Sequence, residues 1–121
     1  MSKSAIRYAW TSLPKDVPMP MLERKRIIGD KMMISEVFLH QGCVVASHFH
    51  ENEQFCCVLD GWLQFEIGAA DSTTKEIVDV RSGEVLHLPS NIPHGAKAMV
   101  DTRVLDLFSP PSATTGIDQH P

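Results

Sequence analysis

Two imidazoles one residue apart, His48 and His50, lie within the stretch Gly42–Gly61, and Gln54 follows four residues later. On a β-strand the side chains of residues i and i+2 leave the same face, about 6–7 Å apart. At that distance both rings can converge on one ion. Histidine nitrogen is the commonest protein ligand for first-row divalent metals, at about 2.0–2.1 Å when the ion is zinc. A His-x-His pair alone also fits an ordinary surface strand. Its weight comes from a second segment, Gly83-Glu-Val-Leu-His-Leu-Pro89-Ser-Asn91-Ile-Pro-His94. There a short apolar strand sits between a turn glycine and a proline corner, and the corner can carry a third histidine, His94, back across the fold. Three histidines and the amide oxygen of Gln54 make a four-ligand set with room for water or substrate.

Positioning such a set calls for short strands, and the chain supplies them. Leu22–Ile28 ends at the turn signal Gly29-Asp30, and Lys31–His40 follows with apolar residues on both faces, as for a strand covered on both sides. The segments 54–59 and 62–67 flank Asp60-Gly61, a hairpin signal. Lys75–Val80, Val85–Leu88, Gly95–Val100 and Arg103–Phe108 complete the series. Many short strands at regular spacing, without helical periodicity, indicate an all-β sandwich or barrel. Residues 1–20 read as an extended, irregular N-terminal arm, because Pro14, Pro18 and Pro20 forbid regular helix. Residues 21–109 form the barrel, and residues 110–121, rich in Pro, Ser and Thr, an irregular tail.

The chain of 121 residues suits one domain, and no apolar run reaches membrane-spanning length. A net charge of −4 speaks against a nucleic-acid partner. The one basic cluster, Arg24-Lys25-Arg26, reads as a solvated strand edge. Three cysteines do not make a secreted disulfide framework, and the N-terminus lacks the apolar core of a secretory signal, so a reducing cytoplasm is the expected location. Cys56 shares parity with Gln54 and should face the interior as a small buried hydrophobe; Cys57 should face the other way. His87, between two leucines, reads as a satisfied core histidine or a base near the ligands, and His40 and His120 as surface residues. Parity leaves Glu36 open between surface and lining.

The two histidine-bearing stretches resemble the paired motifs of the cupins. Gly42, His48, His50, Gln54 and Gly61 fall in register on the first motif, and Gly83, Pro89 and His94 on the second. Asn91 and Ala98 stand where the second motif has glycine and asparagine; asparagine also tolerates left-handed backbone. The resemblance implies a β-barrel of the double-stranded β-helix, or jelly-roll, type. It implies one divalent ion (Fe, Mn, Ni, Zn or Co) on His48, His50, Gln54 and His94, a small-molecule substrate and a homodimer. Over its full length the chain is similar to the small metal-dependent cupins that open unsaturated uronates in pectin and alginate breakdown. Their Leu-Asp-x-Phe-Ser-Pro ending is matched here by Leu105-Asp106-Leu107-Phe108-Ser109-Pro110. That resemblance implies Asp106 as the proton-transfer carboxylate and Phe108 as a substrate-packing wall. On a strand the two share a face. Those proteins carry an arginine shortly after the prolines, where this chain has Ser112.

Gln54 stands where cupins commonly place glutamate. A neutral amide leaves a divalent site at net +2 rather than +1, a harder Lewis acid. The expectation is therefore a non-redox lyase or isomerase of a small oxygenated molecule. A dioxygenase on the same ligands and a non-catalytic ligand-binding cupin are the alternatives. The ligand set is likewise similar to those of cupin hydroxynitrile lyases, polyketide cyclases and a prephenate-derived isomerase.

Overall fold

Burial alternates along Met33–Leu39: Met33, Ser35, Val37 and Leu39 are buried, and the residues between them are half-buried. Period-2 burial of this kind gives a strand one face in the core. The computed structural model describes residues 4–69 and 71–112. The expected tail beyond Ser112, with His120, lies outside the described residues. Ten strands follow in chain order: β1 (Asp16–Met19), β2 (Leu22–Ile28), β3 (Met33–Leu39), β4 (Val44–His48), β5 (Glu53–Asp60), β6 (Trp62–Ile67), β7 (Glu76–Arg81), β8 (Val85–Leu88), β9 (His94–Ala98) and β10 (Thr102–Ser109). A short 3-10 turn, Trp10–Ser12, precedes them.

The strands form two sheets, one of six in the order β1-β2-β3-β10-β5-β8 and one of four in the order β4-β9-β6-β7. All their pairings are antiparallel. Their inner faces bury Leu22, Val37, Val58, Leu63, Phe65 and Val104, among others. Each such side chain contributes about 1.5–3 kcal/mol of hydrophobic stabilisation. This is the expected all-β jelly-roll barrel.

Four expectations are corrected. Asp60-Gly61 does not join a hairpin, because β5 lies in the larger sheet and β6 in the smaller. Gly61 turns the chain between layers at φ +124°, and a Cβ there would meet the Thr102 hydroxyl at 2.4 Å. The N-terminal arm is not irregular throughout: β1 adds to the sheet edge beside β2 despite Pro18, as an edge strand allows. Arg24 is not solvated; it is 3% exposed and its guanidinium grips Asp16 through Nη2–Oδ2 at 2.7 Å. His87 is not in the core. It is exposed, stacked on Phe55 with ring centroids 4.9 Å apart, and its Nε2 lies 2.7 Å from the Glu53 carboxylate. Glu36 lies on the outer face of β3, opposite Lys25 of β2 and Leu105 of β10.

Candidate functional site

β4 and β9 lie antiparallel, with His48 opposite His94. Their register shifts between Val45 and His48, a bulge that re-aims the last side chain of β4. Gly95 makes room for it: a Cβ there would stand 3.0 Å from the Val45 carbonyl oxygen and 3.1 Å from the Ser47 nitrogen. His50 is not on the strand with His48, contrary to the i, i+2 expectation, but in the loop leading to β5. That loop is tied down on two sides. The Asn91 N–H donates to the His50 carbonyl at 2.8 Å, and Ser90 Oγ donates to the Glu51 carbonyl. Asn52, 3% exposed, donates its amide to the Pro110 carbonyl. Asn91 takes the left-handed conformation, φ +64°, anticipated where the motif has glycine.

His48, His50 and His94 each offer a ring nitrogen, and these nitrogens lie within 4.8 Å of one another. The outer nitrogen of every ring is engaged in the same way. Nδ1 of His48 donates to Ala46 O at 2.8 Å, Nδ1 of His50 to Asn52 O at 3.0 Å, and Nδ1 of His94 to Ile92 O at 2.9 Å. A carbonyl can only accept, so each Nδ1 carries the proton and each Nε2 keeps its lone pair. Backbone hydrogen bonds of this kind orient metal-ligating histidines. His50 Nε2 is buried and has no hydrogen-bond partner. An orphaned acceptor in such a place fits an ion. Burial above all, opposed by its bond to Ile92 and aided by the nearby His48 and His50, brings the His94 imidazole down to about 4. Burial likewise lowers His50; the neighbouring Gln54 amide acts the other way without meeting hydrogen-bond geometry at Nε2. Both rings are therefore neutral near pH 7, as ligands must be.

The fourth expected ligand and the expected proton-transfer group meet on the inner face of the larger sheet. Gln54 Nε2 donates to Asp106 Oδ1 at 3.0 Å. Cys56, 2% exposed, lies directly opposite Asp106 on the neighbouring strand, with its thiol beside the same carboxyl group. Burial raises the Asp106 carboxyl to about 6, and the bonds from Gln54 and Cys56 hold it from rising further. Phe108, on the same face as Asp106, meets the His50 ring edge-to-face with centroids 5.9 Å apart. A cavity of about 50 Å³ runs inward from His48, Gln54, His94, Asp106 and Phe108 into apolar side chains. It holds a few waters or one small group of a substrate. An open cleft of about 360 Å³, lined by Ser47, His48, Phe49, Ala69 and Pro93, shares His48 with it. Sequence reasoning missed Asn52 and Gly95. Neither residue type is a ligand here, and only their closeness to Pro110 and to β4 marks them.

No curated protein matches the chain. Among solved structures, KdgF from Halomonas sp. is similar at 25% identity, with 91% of this chain and 97% of that one covered and a TM-score of 0.77. An RmlC-like cupin from Shewanella frigidimarina is 18% identical over 93% of this chain and 97% of its own, with a TM-score of 0.77. An oxalate decarboxylase from Bacillus subtilis is 15% identical over 98% of this chain with a TM-score of 0.81, and the match covers 33% of that longer protein. The last two likenesses speak to the fold alone. The sequence model of the Cupin domain matches residues 35–108, which take in both motifs and His48, His50, Gln54, His94, Asp106 and Phe108. The chain belongs to the cupin family.

Proposed function

We propose that this cupin is a metal-dependent lyase or isomerase of a small oxygenated molecule, with Asp106 as its acid–base. The observation that carries the reading is a carboxylate held inside the barrel beside the three histidines, 3.0 Å from the Gln54 amide. His48, His50 and His94 would hold a divalent ion through Nε2, with the Gln54 oxygen as a fourth ligand. A bound ion of this kind supplies Lewis acidity toward a substrate oxygen, worth several kcal/mol of charge stabilisation.

The remaining work belongs to the chain. A carboxyl group at about 6 changes protonation state close to neutral pH, so it can both take and return a proton. The Gln54 donor fixes its orientation. Phe108 presents a flat apolar wall beside it. The cavity of about 50 Å³ admits the reacting group, and the cleft beside His48 has room for the rest of the molecule. The run Leu105–Pro110 and its resemblance to the uronate-opening cupins make an unsaturated uronate the first substrate to test. Ser112 supplies no cation for the substrate carboxylate, so the related cyanohydrins and diketones belong in the same panel.

Asp106→Asn preserves size and one acceptor but removes the proton acceptor. The variant should fold and bind metal like the parent while turnover falls about 10²–10⁴-fold. Turnover at the parent rate would remove Asp106 from the mechanism, and oxygen uptake by the iron-loaded parent would favour an oxygenase instead. The same chain is proposed to work as a homodimer through the outer face of its larger sheet. There Ile27, Ile34, Phe55, Leu105 and Leu107 lie side by side in register, with Lys25 and Glu36 of opposite charge at the margin.

A further inference from the structure

Gln54 is 7% exposed, and its direct neighbours across β10 and β8 are Phe108 and Leu88. Its Nε2 donates to Asp106 Oδ1, in the adjacent row of β10, at 3.0 Å. A carboxylate only accepts, whereas an amide has a donor end and an acceptor end. Facing Asp106, the Gln54 amide has one satisfied orientation: NH₂ toward the carboxylate, oxygen away from it. Gln54 shares the lining of one cavity with His48 and His94. Two acidic side chains in these positions would confront each other with acceptors only, in a place where water does not reach either freely.

We propose that Gln54 and Asp106 are a matched donor–acceptor pair, in which Asp106 orients the Gln54 oxygen toward the histidines and Gln54 fixes the Asp106 carboxylate. This accounts for an amide at the position where cupins commonly carry glutamate: the acid has been moved from residue 54 to residue 106, one strand away. Gln54 is thus a positioning residue for the proton-transfer group as well as a ligand. Gln54→Glu should be tolerated when Asp106→Asn accompanies it and poorly tolerated when it is made alone. The inference rests on the proposed site only for what the amide oxygen serves; the pair itself exists without an ion.

The test is a double-variant cycle on the full chain, freed of metal with EDTA at pH 8 and followed by thermal melting. Gln54→Glu in the parent should lower the midpoint by about 5–10 °C. The same change made together with Asp106→Asn should lower it by less than about 2 °C relative to Asp106→Asn alone, because the introduced amide at 106 donates to the introduced carboxylate at 54. If Gln54→Glu alone does not fold, recovery of a cooperative melt in the double variant supports the pair, and continued failure to fold overturns it. An equal loss in both backgrounds overturns it as well. Equilibrium dialysis of the parent and the double variant against Zn²⁺ separates the two ideas. A parent that binds zinc but shows an additive cycle keeps the metal site and rejects the pair. A parent that binds none but shows a strongly non-additive cycle keeps the pair and rejects the metal site.

Discussion

Asp106 is a carboxyl group in surroundings that disfavour its charge, and this has a consequence for stability. Burial raises it from 3.8 to about 6 in the folded chain. Below the unfolded value both states are protonated and the difference vanishes. Between the two values the folded state holds a proton that the unfolded state has released, so stability falls as pH rises. Above about 6 the full penalty applies, on the order of 3 kcal/mol for a carboxyl raised from 3.8 to about 6. Asp106→Asn should therefore make the metal-free protein more stable above pH 6 by up to that amount and leave it unchanged near pH 3. Melting midpoints of both proteins from pH 3 to 8 check the sign; a variant less stable at pH 8 would show that the carboxylate is stabilising where it lies. A group that is costly to the fold is a natural candidate for chemistry. In sequence, Asp106 and Phe108 could be seen to share a face. The donor that holds the carboxyl, Gln54, and the Cys56 neighbour opposite it could not be seen, because cross-strand register is invisible along one chain.

At the scale of elements, the site depends on the bulge in β4. Gly95 lies against the Val45 carbonyl and the Ser47 backbone, within 3.0–3.3 Å of where its Cβ would stand. Gly95→Ala should push β4 away from β9 and move His48 off its place opposite His94. The expected cost is about 1–3 kcal/mol in stability and a 10–100-fold loss of metal affinity, read by melting and by dialysis against Zn²⁺. Unchanged affinity would mean that the bulge does not set the His48 position. Strands with clear alternation were legible: the expected bounds of β2 and β8 coincide with the observed ones, and those of β6 do too. The connections were less so. Asp60-Gly61 has hairpin composition, yet its glycine serves a corner against Thr102, because two layers must be joined there. His50 was placed on a strand by its spacing from His48, whereas the loop holds it through Asn52 and Asn91.

For the whole molecule, two faces of the larger sheet divide the work. The inner face carries Gln54, Cys56, Asp106 and Phe108 toward the cavity. The outer face carries an apolar band centred on Leu107, which lies between Ile34 and Phe55. Burying that band against a second copy is the basis of the proposed homodimer. Leu107→Asp should then give a monomer by sedimentation with an intact fold, whereas a parent that is already monomeric at micromolar concentration would end that proposal. The barrel class was legible from strand spacing, and the ligand cluster from motif register. The burial of Arg24 was not, since it depends on Asp16 of β1, which a proline concealed as a strand. Three histidines from β4, its following loop and β9 are proposed to hold one divalent ion. Elemental analysis of protein purified without added metal tests it most directly, run on the parent, His50→Ala and His94→Ala in parallel. The account predicts close to one divalent ion per parent chain and a loss of most of it in both variants, with all three folded. Equal metal content in the parent and both variants would contradict it.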